Sequence, residues 1–289
     1  MDPFRLRARI RQLSLFSDII LEGLYAGNYR SVFKGQGMDF QEVRTYVPGD
    51  DVRLIDWNVT SRFGEPHTKV FREERELVLF LVVDVSRSMR SGSNQYSKFD
   101  CLEILFSIFS LVTLENNDRV GALFFTDEVE DVIPPRKGKT HVLALLRRFR
   151  DMRPRGRGSD LALALRTARD LLPRRSMCVV LSDFRSAGFL DDLLLLRAHH
   201  DLFLVRIGDA LDREFPPTGY VELLDPETGT VLPAFGRSGK FRQWYRRYWE
   251  FFDRLLTEEC ARGRIPLLDM STSEDPVVQL KRFFSRRRR

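Results

Sequence analysis

The chain has 289 residues, 43% hydrophobic and 30% charged, which excludes a disordered, fibrous or low-complexity protein. Its net charge of +6 comes from 47 basic residues dispersed among 41 acidic ones. No zinc-finger, helix-turn-helix or aromatic RNA-binding signature accompanies that charge, so no nucleic-acid partner is expected.

From the N-terminus, Ile10, Leu13, Phe16, Ile20 and Leu24 fall at helical spacing and predict an amphipathic helix over about 4–24. Arg5, Arg7, Arg9 and Arg11 before this apolar stretch have the look of an export signal. Asp18 interrupts it and no small-residue cleavage site follows, which argues against one. No stretch reaches the ~20 apolar residues that span a bilayer. Cys101, Cys178 and Cys260 lie far apart with no CxxC pair, and read as reduced, buried thiols. The expected location is the cytoplasm.

Residues 25–75 read as irregular, dense in charge and in turn formers such as Gly35-Gln36-Gly37 and Pro48-Gly49-Asp50-Asp51. Here Arg44, Asp50, Asp51, Arg53, Asp56 and Arg62 are expected to interlock as ion pairs around a buried Trp57. A binding surface is the other reading of that segment. From residue 77 strands and helices alternate: strands at 77–84, 119–126, 128–133, 177–182 and 201–207, and helices at about 98–116, 139–151, 160–172 and 189–199. The alternation predicts an α/β fold, a doubly wound and mostly parallel sheet with helices on both faces. The strand at 128–133 follows its predecessor too closely for a helical crossover, so an antiparallel edge strand is expected. A hairpin at 220–234 and a helix at 238–262 come next. Phe241, Trp244, Tyr248, Phe251 and Leu255 form a stripe on that helix and are expected to dock on the sheet. A strand at 265–269 and a helix at 275–284 complete the chain. The domain reading is an N-terminal elaboration, 1–75, packed on a main domain, 76–289.

The chemistry concentrates at Asp84-Val85-Ser86-Arg87-Ser88, directly after the apolar run Leu77–Val83. Such a run reads as a strand buried on both faces, and open α/β sheets bind ligands at the carboxyl ends of their strands. Asp84, Ser86 and Ser88 are hard oxygen ligands of the kind that suits Mg²⁺ or Mn²⁺. Two further segments fall where the same site would need them. Arg155-Gly156-Arg157-Gly158-Ser159-Asp160 is a loop that delivers a hydroxyl just before a helix, and Val179-Val180-Leu181-Ser182-Asp183 is a second apolar strand ending in a carboxylate.

Together these segments resemble the metal-ion-dependent adhesion site of von Willebrand factor A-type domains, with Ser159 where that family usually has Thr. The resemblance implies that Ser86, Ser88 and Ser159 bind the metal directly and that Asp84 and Asp183 act partly through water. One position is left for a partner's carboxylate. The run Tyr46-Val47-Pro48-Gly49-Asp50-Asp51-Val52-Arg53-Leu54-Ile55-Asp56-Trp57 narrows the match. It resembles the signature of a bacterial family of A-domain-like proteins associated with MoxR-type AAA+ ATPases, in its short branch without transmembrane helices. By that resemblance the chain is a non-enzymatic adaptor or substrate-recognition partner of such an ATPase, with a client protein that offers an acidic residue.

Other signals are weaker. Gly138-Lys139-Thr140 is not a P-loop, because Ile133 stands where the first glycine is required and Pro134 and Pro135 lack N–H donors. Asp84 invites comparison with the aspartyl nucleophile of haloacid-dehalogenase-type phosphatases, but Ser86 cannot replace their general acid. Mg²⁺-dependent phosphoryl transfer through Asp84 stays open as an alternative. So does a basic peripheral protein that meets a membrane through Arg286–Arg289, or a basic nucleic-acid-binding protein.

Overall fold

The computed structural model describes residues 38–73, 77–172, 175–215, 217–224 and 231–287. The helix expected over 4–24, Gly35-Gln36-Gly37, the Asp225–Gly229 turn and Arg288-Arg289 lie outside them. The chain divides into two compact units, one of which is Asn28–Glu76.

In that unit β1 (Met38–Thr45) pairs antiparallel with β2 (His67–Glu73). A 3₁₀ turn at Val52–Leu54 and helix α1 (Trp57–Phe63) lie between them in the chain. Asp51 caps the first by accepting from Arg53 N. Asp56 caps the second by accepting from Asn58 N and Val59 N. Gly64, at φ 76°, ends α1 in the left-handed conformation that favours glycine. Two expectations are corrected here. The segment is a regular hairpin with an inserted helix, and no knot of charges encloses Trp57. Among its described residues the ion pairs are Arg44–Asp50 at 2.7 Å and Lys69–Asp56 at 3.3 Å. Asp51 and Asp56 are used as caps, α1 buries none of its residues, and Trp57 is 70% exposed.

The second unit carries β3 (Val78–Asp84), α2 (Lys98–Glu115), β4 (Arg119–Phe125), β5 (Val129–Arg136), α3 (Lys139–Asp151), α4 (Leu161–Leu171) and β6 (Met177–Ser182). It continues with α5 (Leu190–His199), β7 (Asp201–Gly208), the single turn α6 (Ala210–Arg213) and the hairpin β8 (Tyr220–Leu224) and β9 (Val231–Phe235). Helix α7 (Gly239–Arg262), β10 (Leu267–Ser271) and α8 (Pro276–Arg287) follow. The six-stranded sheet has the order β10-β7-β6-β3-β4-β5, with β5 antiparallel to β4 and every other pairing parallel. This is the expected doubly wound sheet.

Strand periodicity sorts the apolar residues onto two faces. Phe80, Val82, Leu123, Phe125, Cys178 and Val180 pack with Leu165 of α4, Leu193 of α5 and Leu256 of α7. On the other face Phe106 of α2 stacks on Phe149 of α3 and meets Phe124, while Phe203 meets Phe284 of α8. The aromatic stripe of α7 is a correction. Trp244 is 58% and Phe251 60% exposed, and the residues that α7 buries are Leu256 and Cys260. The helix carries aromatic residues around most of its circumference, so apolar periodicity alone does not select the inward face.

Candidate metal centre

β3 is the strand at which the sheet order reverses, with β4 on one side and β6 on the other. The crossover from β3 runs to β4 and that from β6 runs to β7, in opposite directions, which opens a crevice between the carboxyl ends of β3 and β6. Asp84 is its last residue, and it is fully buried. Ser86 N donates to Asp84 Oδ1 at 3.0 Å, and a 3₁₀ turn, Arg87–Arg90, carries Ser88 back so that its Oγ lies 3.1 Å from Ser86 Oγ. The loop that follows is fastened by Asp209. This carboxylate accepts from Ser93 N at 3.0 Å, Asn94 Nδ2 at 3.1 Å and Thr272 Oγ1 at 2.6 Å. Burial would raise the Asp209 pKa, but these donors hold it well below the usual carboxylate range.

Ser159 arrives on the loop before α4. Glu130 accepts from Arg155 N at 2.9 Å and Gly156 N at 2.8 Å, and Asp127 accepts from Arg157 N at 2.9 Å. The loop is therefore pinned to the β4–β5 turn. At Gly156 a Cβ would stand 2.0 Å from Thr126 Oγ1 and 2.1 Å from Asp127 Oδ1, so only glycine allows the approach. Held this way, Ser159 Oγ donates to Asp84 Oδ2 at 3.0 Å.

Asp183 follows β6. Its backbone turn is sharp: Phe184 adopts φ 55°, rare for a bulky residue, with its ring buried against Phe189. Asp183 is close enough to Ser88 and Asp84 for each to be felt electrostatically, and hydrogen bonds link Asp84 to Ser86 and Ser159 and Ser86 to Ser88. All five sequence-derived residues thus meet at one place.

Several partners were not foreseen. Ser182 Oγ donates to Asp84 Oδ2 at 2.7 Å. Lys98, also buried, places Nζ 2.9 Å from Asp183 and 2.8 Å from Asp212. Arg185 lies 3.5 Å from Asp212 and its guanidinium covers the Trp249 ring at 3.6 Å. One signal for Lys98 was available: it falls on the helical stripe of Cys101, Leu102 and Leu105, all fully buried.

The electrostatics separate the two carboxylates. Burial, then the charge of Asp183, pushes Asp84 up to about 6 against the hydrogen bonds from Ser86 and Ser182. Burial acts the same way on Asp183, but Lys98 and Arg185 outweigh it and hold its pKa down. Burial alone would lower the Lys98 pKa, and Asp183 and Asp212 reverse that and raise it.

The donor set fits a hard divalent cation. The hydroxyls of Ser86, Ser88, Ser159 and Ser182 gather with two carboxylates, none of them soft, and the charge of Asp183 raises the Asp84 pKa, a repulsion that a cation would relieve alongside Lys98. Among the described residues no group of three or more His, Cys, Asp or Glu could hold a metal ion. A site for Mg²⁺ or Mn²⁺ here has to draw on the hydroxyls.

A sheet of this order, with a D-x-S-x-S turn closing its switch-point strand, defines a von Willebrand factor A-like α/β protein. The chain belongs to the family described as Protein of unknown function DUF58, whose model matches residues 42–250. It is 31% identical over 292 residues to Uncharacterized protein Rv1480 of Mycobacterium tuberculosis, covering 100% of this chain and 92% of that one. Among solved structures it is similar to the conserved hypothetical protein BatB from Bacteroides thetaiotaomicron, at TM-score 0.46 and 13% identity over 73% of this chain and 98% of BatB. The SpRpn10 VWA domain matches at TM-score 0.40 and 10% identity, over 73% of this chain and 95% of the domain.

Proposed function

We propose that the chain is a metal-dependent protein-binding module without catalytic turnover. Asp84, Ser86, Ser88, Ser159 and Asp183 would hold Mg²⁺ or Mn²⁺, leaving one position for an Asp or Glu of a partner. The observation that carries this reading is the convergence of oxygen side chains from three separate segments at the sheet's switch point. A cation held largely by neutral hydroxyls keeps much of its charge and attracts a further carboxylate. The partner class we infer is a MoxR-type AAA+ ATPase in the cytoplasm, with the chain as adaptor or recognition subunit for a client complex. Among the described residues no helix is long and apolar enough to cross a membrane.

Phosphoryl transfer through Asp84 has less support. An attacking carboxylate needs a free oxygen, whereas Asp84 is buried, its Oδ1 accepts from Ser86 N and its Oδ2 from two hydroxyls.

The test has two parts. Calorimetry with Mg²⁺ and Mn²⁺ should give weak binding to the wild type and none to Asp84→Ala/Ser86→Ala. Equal affinity in both would refute the site. Capture of the ATPase or a client should then require the metal, and undiminished capture in EDTA by metal-free protein would place recognition elsewhere.

A further inference from the structure

Beside the Ser86–Ser88 turn lies a cavity of about 450 Å³, lined by Val85, Arg87, Arg90, Arg153, Pro154 and Gly156. That volume is in the range of ~300–1,000 Å³ typical of ligand pockets. Three arginines line one space, and Arg153 also borders a neighbouring hollow with Glu130, Asp131 and Asp151. Among the described residues none of the three is ion-paired, whereas the arginines just outside it are. Arg148 lies 3.0 Å from Asp131, and Arg155 lies 3.3 Å from Glu128 and 3.6 Å from Glu130. Arg153 donates only to the carbonyl of its neighbour Met152, at 2.9 Å, and Arg90 sits over the Phe99 ring at 5.8 Å.

The walls are set in advance. Pro154 fixes its own backbone, and the backbone N–H groups of Arg155 and Gly156 are already taken by Glu130. Those amides are therefore not free to bind an anion, and the charge available to a ligand is that of the three side chains. Clustered like charges repel, and the cost falls when an anion joins them. The planar guanidinium fork matches a carboxylate with two parallel hydrogen bonds.

Position adds the second argument. Val85 and Arg87 flank Ser86, and Gly156 lies on the loop that carries Ser159. A chain segment whose carboxylate reached the candidate metal would run its neighbouring side chains into this cavity. We propose that the Arg87–Arg90–Arg153 cavity is a second recognition subsite, for a carboxylate-rich segment of the partner protein. The proposal rests on the metal reading for its neighbouring carboxylate, and on the cavity itself for the rest. The partner's recognition element is then a run of Asp or Glu rather than a single acidic residue.

The probe is a fluorescein-labelled tetra-aspartate peptide, followed by fluorescence polarisation with Mg²⁺ at low salt. Arg87→Gln/Arg90→Gln/Arg153→Gln should weaken binding by about tenfold or more, and a control triple that removes equal charge elsewhere, Arg169→Gln/Arg246→Gln/Arg262→Gln, by less than about twofold. The three cavity arginines are exposed, so thermal melts and Mg²⁺ calorimetry of the cavity triple should match wild type. Normal Mg²⁺ binding with unchanged peptide affinity in the cavity triple overturns the subsite and leaves the metal reading standing. Arginine-dependent peptide binding in a protein that binds no Mg²⁺ does the reverse. A phosphoserine tetrapeptide that binds where tetra-aspartate does not overturns the carboxylate assignment.

Discussion

Removing the Lys98 ammonium would leave Asp183 and Asp212 facing each other in the interior, each having lost a partner within 3 Å. Breaking a buried ion pair from one side costs about 3–5 kcal/mol, because the remaining charge is stranded. Lys98→Met should therefore lose about that much stability in EDTA, measured by urea unfolding. Mg²⁺ should narrow the gap, since a cation in the site takes over part of the neutralisation. A Lys98→Met protein as stable as wild type in EDTA would mean that the two carboxylates find other partners. At this scale the sequence was informative only in part. Asp84, Ser86, Ser88, Ser159 and Asp183 announce themselves as polar residues closing apolar runs or a glycine-rich loop. Lys98, Ser182 and Asp212 become recognisable only once strand order brings β6 beside β3 and the residues after β7 near the start of α2.

The loop that delivers Ser159 depends on Gly156. Gly156→Ala would force its new methyl against Thr126 and Asp127, and the loop has to lift from the β4–β5 turn. Metal affinity should fall sharply while the melting temperature changes little, because the displaced segment buries few apolar atoms. Loss of both in parallel would show that the loop supports the core. Helix α7 tests a different point. Trp244→Gln and Phe251→Gln should each change stability by less than about 0.5 kcal/mol, as exposed substitutions do. Phe106→Ala, in the stacked cluster with Phe124 and Phe149, should cost about 3–5 kcal/mol. The same contrast applies in the smaller unit, where Trp57→Ala should be nearly neutral in a thermal melt. Strands and helices of the main sheet were legible to within a few residues, because uninterrupted apolar runs and clear helical periods leave few alternatives. β1, β2 and α1 were not, since their sequence is charged and punctuated by Pro and Gly, and their caps are supplied by the same Asp residues that look like ion-pair partners.

For the molecule as a whole, His200 gives stability a dependence on pH. It is buried, and its Nδ1 accepts from Ser176 N at 3.2 Å. Burial, then His199, holds its pKa below the ordinary 6.5, with Asp201 opposing. The unfolded chain binds the proton more readily, so the stabilising contribution is complete above pH 6.5 and is lost as pH falls through the lower folded value. Urea unfolding across this range should show a steeper acid-side decline for wild type than for His200→Asn. Equal slopes would assign the decline to other groups.

Strand β5 forms one outer margin of the six-stranded sheet and carries Pro134 and Pro135. Neither residue has an N–H, and the pairing with β4 shifts register just there, between Val120 and Ala122. An extended chain from a neighbouring molecule would meet a broken row of donors along this margin. Strand addition is blocked on that side. Crowded copies are spared edge-to-edge growth along this flank, the kind of growth that ends in fibres.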